Sequence, residues 1–114
     1  MTSNKKYPKL GYTTIQHLPR TKHGISNNDY CVADAIYHLS NNPDSIALGW
    51  CFATRETIAS FFDLSKRTVI NSINTLKVKE LVEVDRETNY LRTTQKWYEE
   101  FVVYQMKSEK KYRG

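Results

Sequence analysis

Residues 54–84 read TRETIASFFDLSKRTVINSINTLKVKELVEV, and the spacing of their apolar side chains predicts two short helices across a tight turn, then a strand. Thr54 supplies the side-chain oxygen an N-cap needs, and Ile58, Phe61 and Phe62 recur at i, i+3, i+4 as one apolar face. At Asp63-Leu64-Ser65 the first helix ends: Asp tolerates a left-handed backbone, Leu64 plugs the corner and Ser65 caps the second helix. From Lys66 that second helix carries Val69, Ile70, Ile73 and Leu76 toward the core. Arg67, Thr68, Asn71, Ser72, Asn74 and Thr75 lie on the other side, a face with no acid.

Two helices joined this way, the first bracing and the second presenting polar side chains, form the pattern by which a helix-turn-helix enters the DNA major groove. Asn pairs in bidentate fashion with adenine and Arg with guanine, so a face holding Arg67, Asn71 and Asn74 has groups suited to base edges. Plain solvation also produces polar helix faces, so no single residue carries the reading.

The runs Thr57-Ile58-Ala59, Asp63-Leu64-Ser65-Lys66-Arg67-Thr68-Val69, Ile73-Asn74-Thr75-Leu76 and Glu80-Leu81-Val82 resemble two groups. One is the winged-helix domains at the N-terminus of bacterial plasmid and phage replication initiators; the other is winged-helix transcription regulators. The resemblance is clearest over residues 49–84 and extends more weakly over 12–94. It implies a strand at Gly49-Trp50-Cys51-Phe52 that pairs with the wing, and a short entry strand near residues 12–15. Two positions depart from that pattern. Asp63 and Glu80 stand where such domains usually have Gly, and Glu is the poorer substitute where φ is positive.

With 114 residues, 39% hydrophobic and 12% aromatic, the chain suits one domain with a single core. Mean hydropathy is −0.64 and the ends are rich in lysine. No stretch approaches a membrane span, and no apolar signal-peptide core lies near Met1, so the expected compartment is cytoplasmic, with no membrane partner. Cys31 and Cys51 lack CxxC spacing and read as small hydrophobes rather than as a bridge or a metal pair. The formal net charge of +5 is uneven. Residues 1–25 carry five Lys or Arg and no acid, 26–105 eight against eleven acids, and 106–114 four against one. The tails therefore hold the excess charge.

Taken in order, residues 1–11 read as a flexible basic arm and 12–106 as the domain; 107–114 read as a basic disordered tail. Residues 12–15, YTTI, read as a strand ended by His17-Leu18-Pro19, with a basic loop of Arg20, Lys22 and His23 after it, the histidines solvated. Ser26 and Asp29 form a capping-box pattern ahead of the stripe Val32, Ala35, Ile36, Leu39, and Asn41-Asn42-Pro43 ends that helix. Residues 81–84 and 90–93 flank a short loop and predict a hairpin, with Arg86 at its tip and Arg92 on the return strand, both available to phosphate or a minor groove. Thr94 caps a last helix whose Trp97, Tyr98, Phe101, Val102 and Tyr104 make a broad apolar surface. Either that surface packs deep against the first core helix, or part of it is a homodimer interface.

The expected fold is therefore α+β, a winged helix-turn-helix with a three-helix core, a two- or three-stranded wing sheet and an extra C-terminal helix. Sequence-specific binding of double-stranded DNA is the expected function, in replication initiation or transcription regulation of a phage- or plasmid-like element. Thr54, Arg55, Ser65, Lys66, Arg67, Thr68, Asn71, Ser72, Asn74, Thr75, Arg86 and Arg92 are the candidate contacts. The competing expectation is a protein-contact module working through the aromatic C-terminal helix. No Gly-rich phosphate loop, HExxH, CxxC pair or G-x-S-x-G occurs, so neither an enzyme nor a cofactor, metal site or small-molecule substrate is expected. Full initiators of this kind carry further domains; a chain ending at Gly114 suggests a small stand-alone regulator or accessory factor.

Overall fold

Tyr30, Trp97 and Phe101 meet in the core of an α+β fold that, among the described residues, combines helices with one antiparallel hairpin. A computed structural model describes residues 11–42 and 49–113, with side chains through residue 109. The arm assigned to residues 1–11 thus lies, except for Gly11, outside the described residues. The elements are α1 (His17–Lys22), α2 (Asn27–Ser40), α3 (Arg55–Phe62), α4 (Lys66–Val78), β1 (Val82–Val84) and β2 (Leu91–Thr93). A C-terminal helix completes the chain as α5 (Gln95–Trp97), a π-helical turn at Tyr98–Val102, and α6 (Val103–Arg113).

Each helix start has a local cause. Ser26 Oγ accepts the Asp29 N–H at 3.0 Å, and Asp29 Oδ2 accepts the Ser26 N–H at 3.0 Å, closing the capping box. Thr54 and Ser65 cap α3 and α4 by accepting the N–H of Thr57 and Thr68, each at 3.1 Å. Asp63 takes φ 55° and ψ 42°, the left-handed conformation the turn requires. Glu80 takes φ 62° as well. The Leu81 N–H reaches the Leu76 carbonyl at 2.9 Å and the Glu80 N–H that of Lys77 at 3.0 Å, the Schellman arrangement normally built on glycine.

The entry strand does not form. Residues 11–16 are irregular and α1 succeeds them, because Pro19 lies in the first turn of a helix, where its missing N–H costs no intrahelical bond. Ile15 packs on the core, Thr13 hydrogen-bonds the Cys31 thiol and the backbone at Gln16 bonds the Tyr30 hydroxyl, which fastens this segment to α2 instead of a sheet. Burial raises the Tyr30 hydroxyl to about 12 and the Cys51 thiol to about 11, so both stay neutral. Both cysteines are free.

In the hairpin Val82 pairs with Thr93, Glu83 with Arg92 and Val84 with Leu91. Cys51 adds an isolated antiparallel bridge to Leu91, its N–H to the Leu91 carbonyl at 2.6 Å, where the resemblance implies a third strand. α2 packs on α4 and β2, while α3 packs on α4. Trp97 and Phe101 are each 1% exposed and stack at 4.3 Å between centroids, with Tyr30 edge-on to both. Those two aromatics therefore belong to the core and form no dimer surface; Tyr98, Val102 and Tyr104 keep some exposure. The helix also runs on to Arg113 through the segment expected to be a disordered tail.

Candidate nucleic-acid interface

Because α4 packs on α2 through Val69, Ser72, Ile73 and Leu76, its opposite side is open. That open side consists of Lys66, Arg67, Ile70, Asn71, Asn74, Lys77 and Val78, again without an acid. Arg67, Asn71 and Asn74 stand where the sequence pattern puts them, adjacent by helical spacing. Two assignments change. Ser72 is 4% exposed and faces the core, because its helical angle lies beside Leu76 and Val69 rather than beside Asn71. Ile70, read from the periodicity as core, is 39% exposed. Thr68 and Thr75 are half-buried flanks, and the Thr68 hydroxyl lies 2.9 Å from that of Ser65.

Arg55, at the first position of α3, reaches across to the hairpin: Nη1 donates to the Asn89 carbonyl at 2.9 Å, and Nη2 to Asn89 Oδ1 at 3.5 Å. Burial lowers the guanidinium's pKa from its ordinary value. Its donors hold the hairpin turn against α3, so it braces the site more than it faces outward. Lys66 pairs with Glu56 at 3.0 Å in the open, and this contact holds the Glu56 carboxyl below its usual range. Between α3, α4 and the hairpin runs a groove of about 400 Å³ that Arg55, Lys66, Ile70 and Asn89 help to line. A smaller recess of about 90 Å³ adjoins it, bounded by Asn74, Lys77 and Val84.

The hairpin divides its two arginines. Arg86 is exposed at the tip, beside a loop fastened by Asp85, whose carboxylate accepts the Thr88 N–H at 2.9 Å and hydroxyl at 2.6 Å. These bonds hold Asp85 below the usual carboxylate range. Arg92 is different. Its Nε donates to Glu83 at 2.9 Å, and its guanidinium lies 4.2 Å from the Trp50 ring centroid. Val84 borders the α4 recess, and strand alternation turns Glu83 and Arg92 to the opposite face. Arg92 is therefore not brought together with the α4 residues. Trp50 is half-buried under that guanidinium.

Anchors at the far end of α4 hold it in place. Thr94 Oγ1 donates to the Glu80 carbonyl at 2.7 Å and Lys96 to that of Lys79 at 2.9 Å. Asn89 and Lys77 belong to the site although the sequence pattern does not single them out as contacts. Lys77 was legible from its spacing, three positions after Asn74 and seven after Ile70. Asn89 was not, since its role depends on a partner 34 positions away.

Elsewhere, His23 is not solvated. Its Nε2 lies 2.9 Å from Glu100, with Lys22 at 3.7 Å from the same carboxylate, and these contacts lower the Glu100 pKa. Among the described residues no cluster of three His, Cys, Asp or Glu could hold a metal ion, and no helix is long and apolar enough to cross a membrane. Comparison with family models, with curated proteins and with solved structures found no match.

Proposed function

We propose that this chain is a winged helix-turn-helix that binds double-stranded DNA in a sequence-specific way, serving replication initiation or transcription regulation of a phage- or plasmid-like element. In this reading α3 braces, α4 lies in the major groove and the hairpin is the wing beside it. One observation carries the proposal: the open side of α4 joins Arg67, Asn71, Asn74 and Lys77 on a surface with no acid of its own. The left-handed turn at Asp63 and the Cys51 bridge to Leu91 support the same architecture.

Within this site Arg67, Asn71 and Asn74 face base edges, while Lys66, Lys77 and the capped N-termini at Thr54 and Ser65 meet phosphates. Arg86 meets the backbone from the wing tip. Arg55 acts by fixing the wing's distance from α4. Docking of another protein through the C-terminal helix has less to support it, since Trp97 and Phe101 are buried.

An electrophoretic shift with random-sequence duplexes at two salt concentrations tests this. Binding should weaken steeply as salt rises, because phosphate contacts release counterions. Failure to shift any duplex at low salt would remove the proposal.

A further inference from the structure

Ile70 stands amid Lys66, Arg67, Asn71 and Asn74 on the open side of α4, whose other apolar residue, Val78, lies two turns further on at the helix end. It is 39% exposed while its neighbours Val69 and Ile73 are at 0% and 3%. Lys66 and Asn74 lie one helical turn to either side of it, and Arg67 and Asn71 adjoin it. A single exposed apolar side chain needs no partner on its own account; what gives Ile70 a use is its place among the polar residues of the proposed reading face.

We infer that Ile70 reads the C5-methyl group of a thymine in the major groove, an assignment that rests on the proposed entry of α4 into duplex DNA. Thymine is the one base whose major-groove edge presents an apolar group; the other edges present only donors and acceptors. An isoleucine has nothing to offer those edges, and holding it against a cytosine amino group leaves a desolvated donor unpaired. The side chain therefore favours thymine by contact and disfavours its competitors by the bonds it cannot make. Charge selects the occupant. Lys66, Arg67 and Lys77 surround the position and α4 carries no carboxylate of its own; Glu56 of α3 offsets Lys66 in the same groove, which leaves Arg67 and Lys77 as the positive excess that suits a polyanion.

The test begins with duplexes selected from random sequence by the full chain. Each thymine in the preferred site is replaced singly by deoxyuridine, which removes the methyl and keeps the pairing. Binding is measured for the wild type, Ile70→Ala and Arg67→Ala. One replacement should weaken the wild type about fourfold, the worth of one buried methyl, and leave Ile70→Ala unchanged. Arg67→Ala should lose affinity for both duplexes by the same factor. Ile70 is part-covered, so its alanine variant is measured below its own melting temperature, and each variant is compared with itself on the two duplexes, which cancels any loss of stability. If no deoxyuridine weakens wild-type binding, or if Ile70→Ala remains equally sensitive, the assignment to Ile70 is overturned, while a loss of affinity in Arg67→Ala keeps α4 as the DNA helix. Absence of any duplex binding overturns the DNA reading, and this inference with it.

Discussion

Glu80 shows how far one residue can depart from the local rule and still hold its place. A left-handed backbone costs a side chain roughly 1 kcal/mol that glycine avoids, yet the Schellman bonds and the Leu76–Leu81 pair at the end of α4 require it. Glu80 is exposed, and its carbonyl, not its side chain, accepts from Thr94. Glu80→Gly should therefore raise stability by about 1 kcal/mol in urea unfolding, with DNA binding unchanged. Asn71→Ala should cost about 1–3 kcal/mol of specific binding and relax preference at one base pair. A binding selection returning the wild-type site would take Asn71 out of the reading set. His38 gives a pH signature. Its hydrogen bond to Asp34, 3.4 Å away, raises its pKa above the ordinary 6.5. The charged form is favoured on folding, so this stability is fully present below about pH 6.5 and is lost as pH rises through the raised value. Since the pair is half-exposed, His38→Gln should cost about 0.5 kcal/mol at about pH 5.5 and nothing at about pH 9, read by thermal unfolding.

Among the elements, the C-terminal helix shows best why breadth of apolar pattern is ambiguous. A helix with Trp97, Phe101 and Tyr104 at i, i+4, i+7 and a second flank beside them meets the needs of a core or of an interface equally well. Packing against α2 divides that surface, with Trp97 and Phe101 inside and Tyr98 38% exposed. The π turn at Tyr98–Val102 lies where the division is made, and it changes which residues face α2 relative to an unbroken α-helix. Phe101→Ala should cost about 3–5 kcal/mol in urea unfolding, as removal of a fully buried ring does. Unchanged stability accompanied by a change in solution mass would return this residue to an interface.

Charge is a property of the whole molecule. Residues 26–105 hold eight bases against eleven acids, so their net field opposes DNA, whereas residues 1–25 hold five bases and no acid. Glu56 and Glu83 pair with Lys66 and Arg92 of the same span, which leaves its acidic excess unchanged, whereas Glu100 faces Lys22 of the N-terminal span. Affinity and base preference should thus reside in different parts of the chain. Deleting residues 1–9 should weaken binding to all duplexes alike and flatten the salt dependence, with the preferred site kept. Loss of the preferred site with general affinity retained would mean that this segment reads a groove.

Local features were legible in the order of residues: the caps at Ser26, Thr54, Ser65 and Thr94, the left-handed turn at Asp63, the helix after each cap and the hairpin. The caps, turn and helices depend on neighbours three or four positions away and the hairpin on strands joined by one short loop, and both ranges are written in the pattern. Packing of the folded chain settled other matters, beginning with which edge of the α4 stripe α2 could cover, and so with Ile70 outside and Ser72 inside. It also fastened residues 13–16 to α2 rather than into a strand, and put Trp97 and Phe101 in the core. Arg55 meeting Asn89 and His23 meeting Glu100 join residues 34 and 77 positions apart. No local periodicity specifies such partners, because only the packing of whole elements brings them within hydrogen-bond reach.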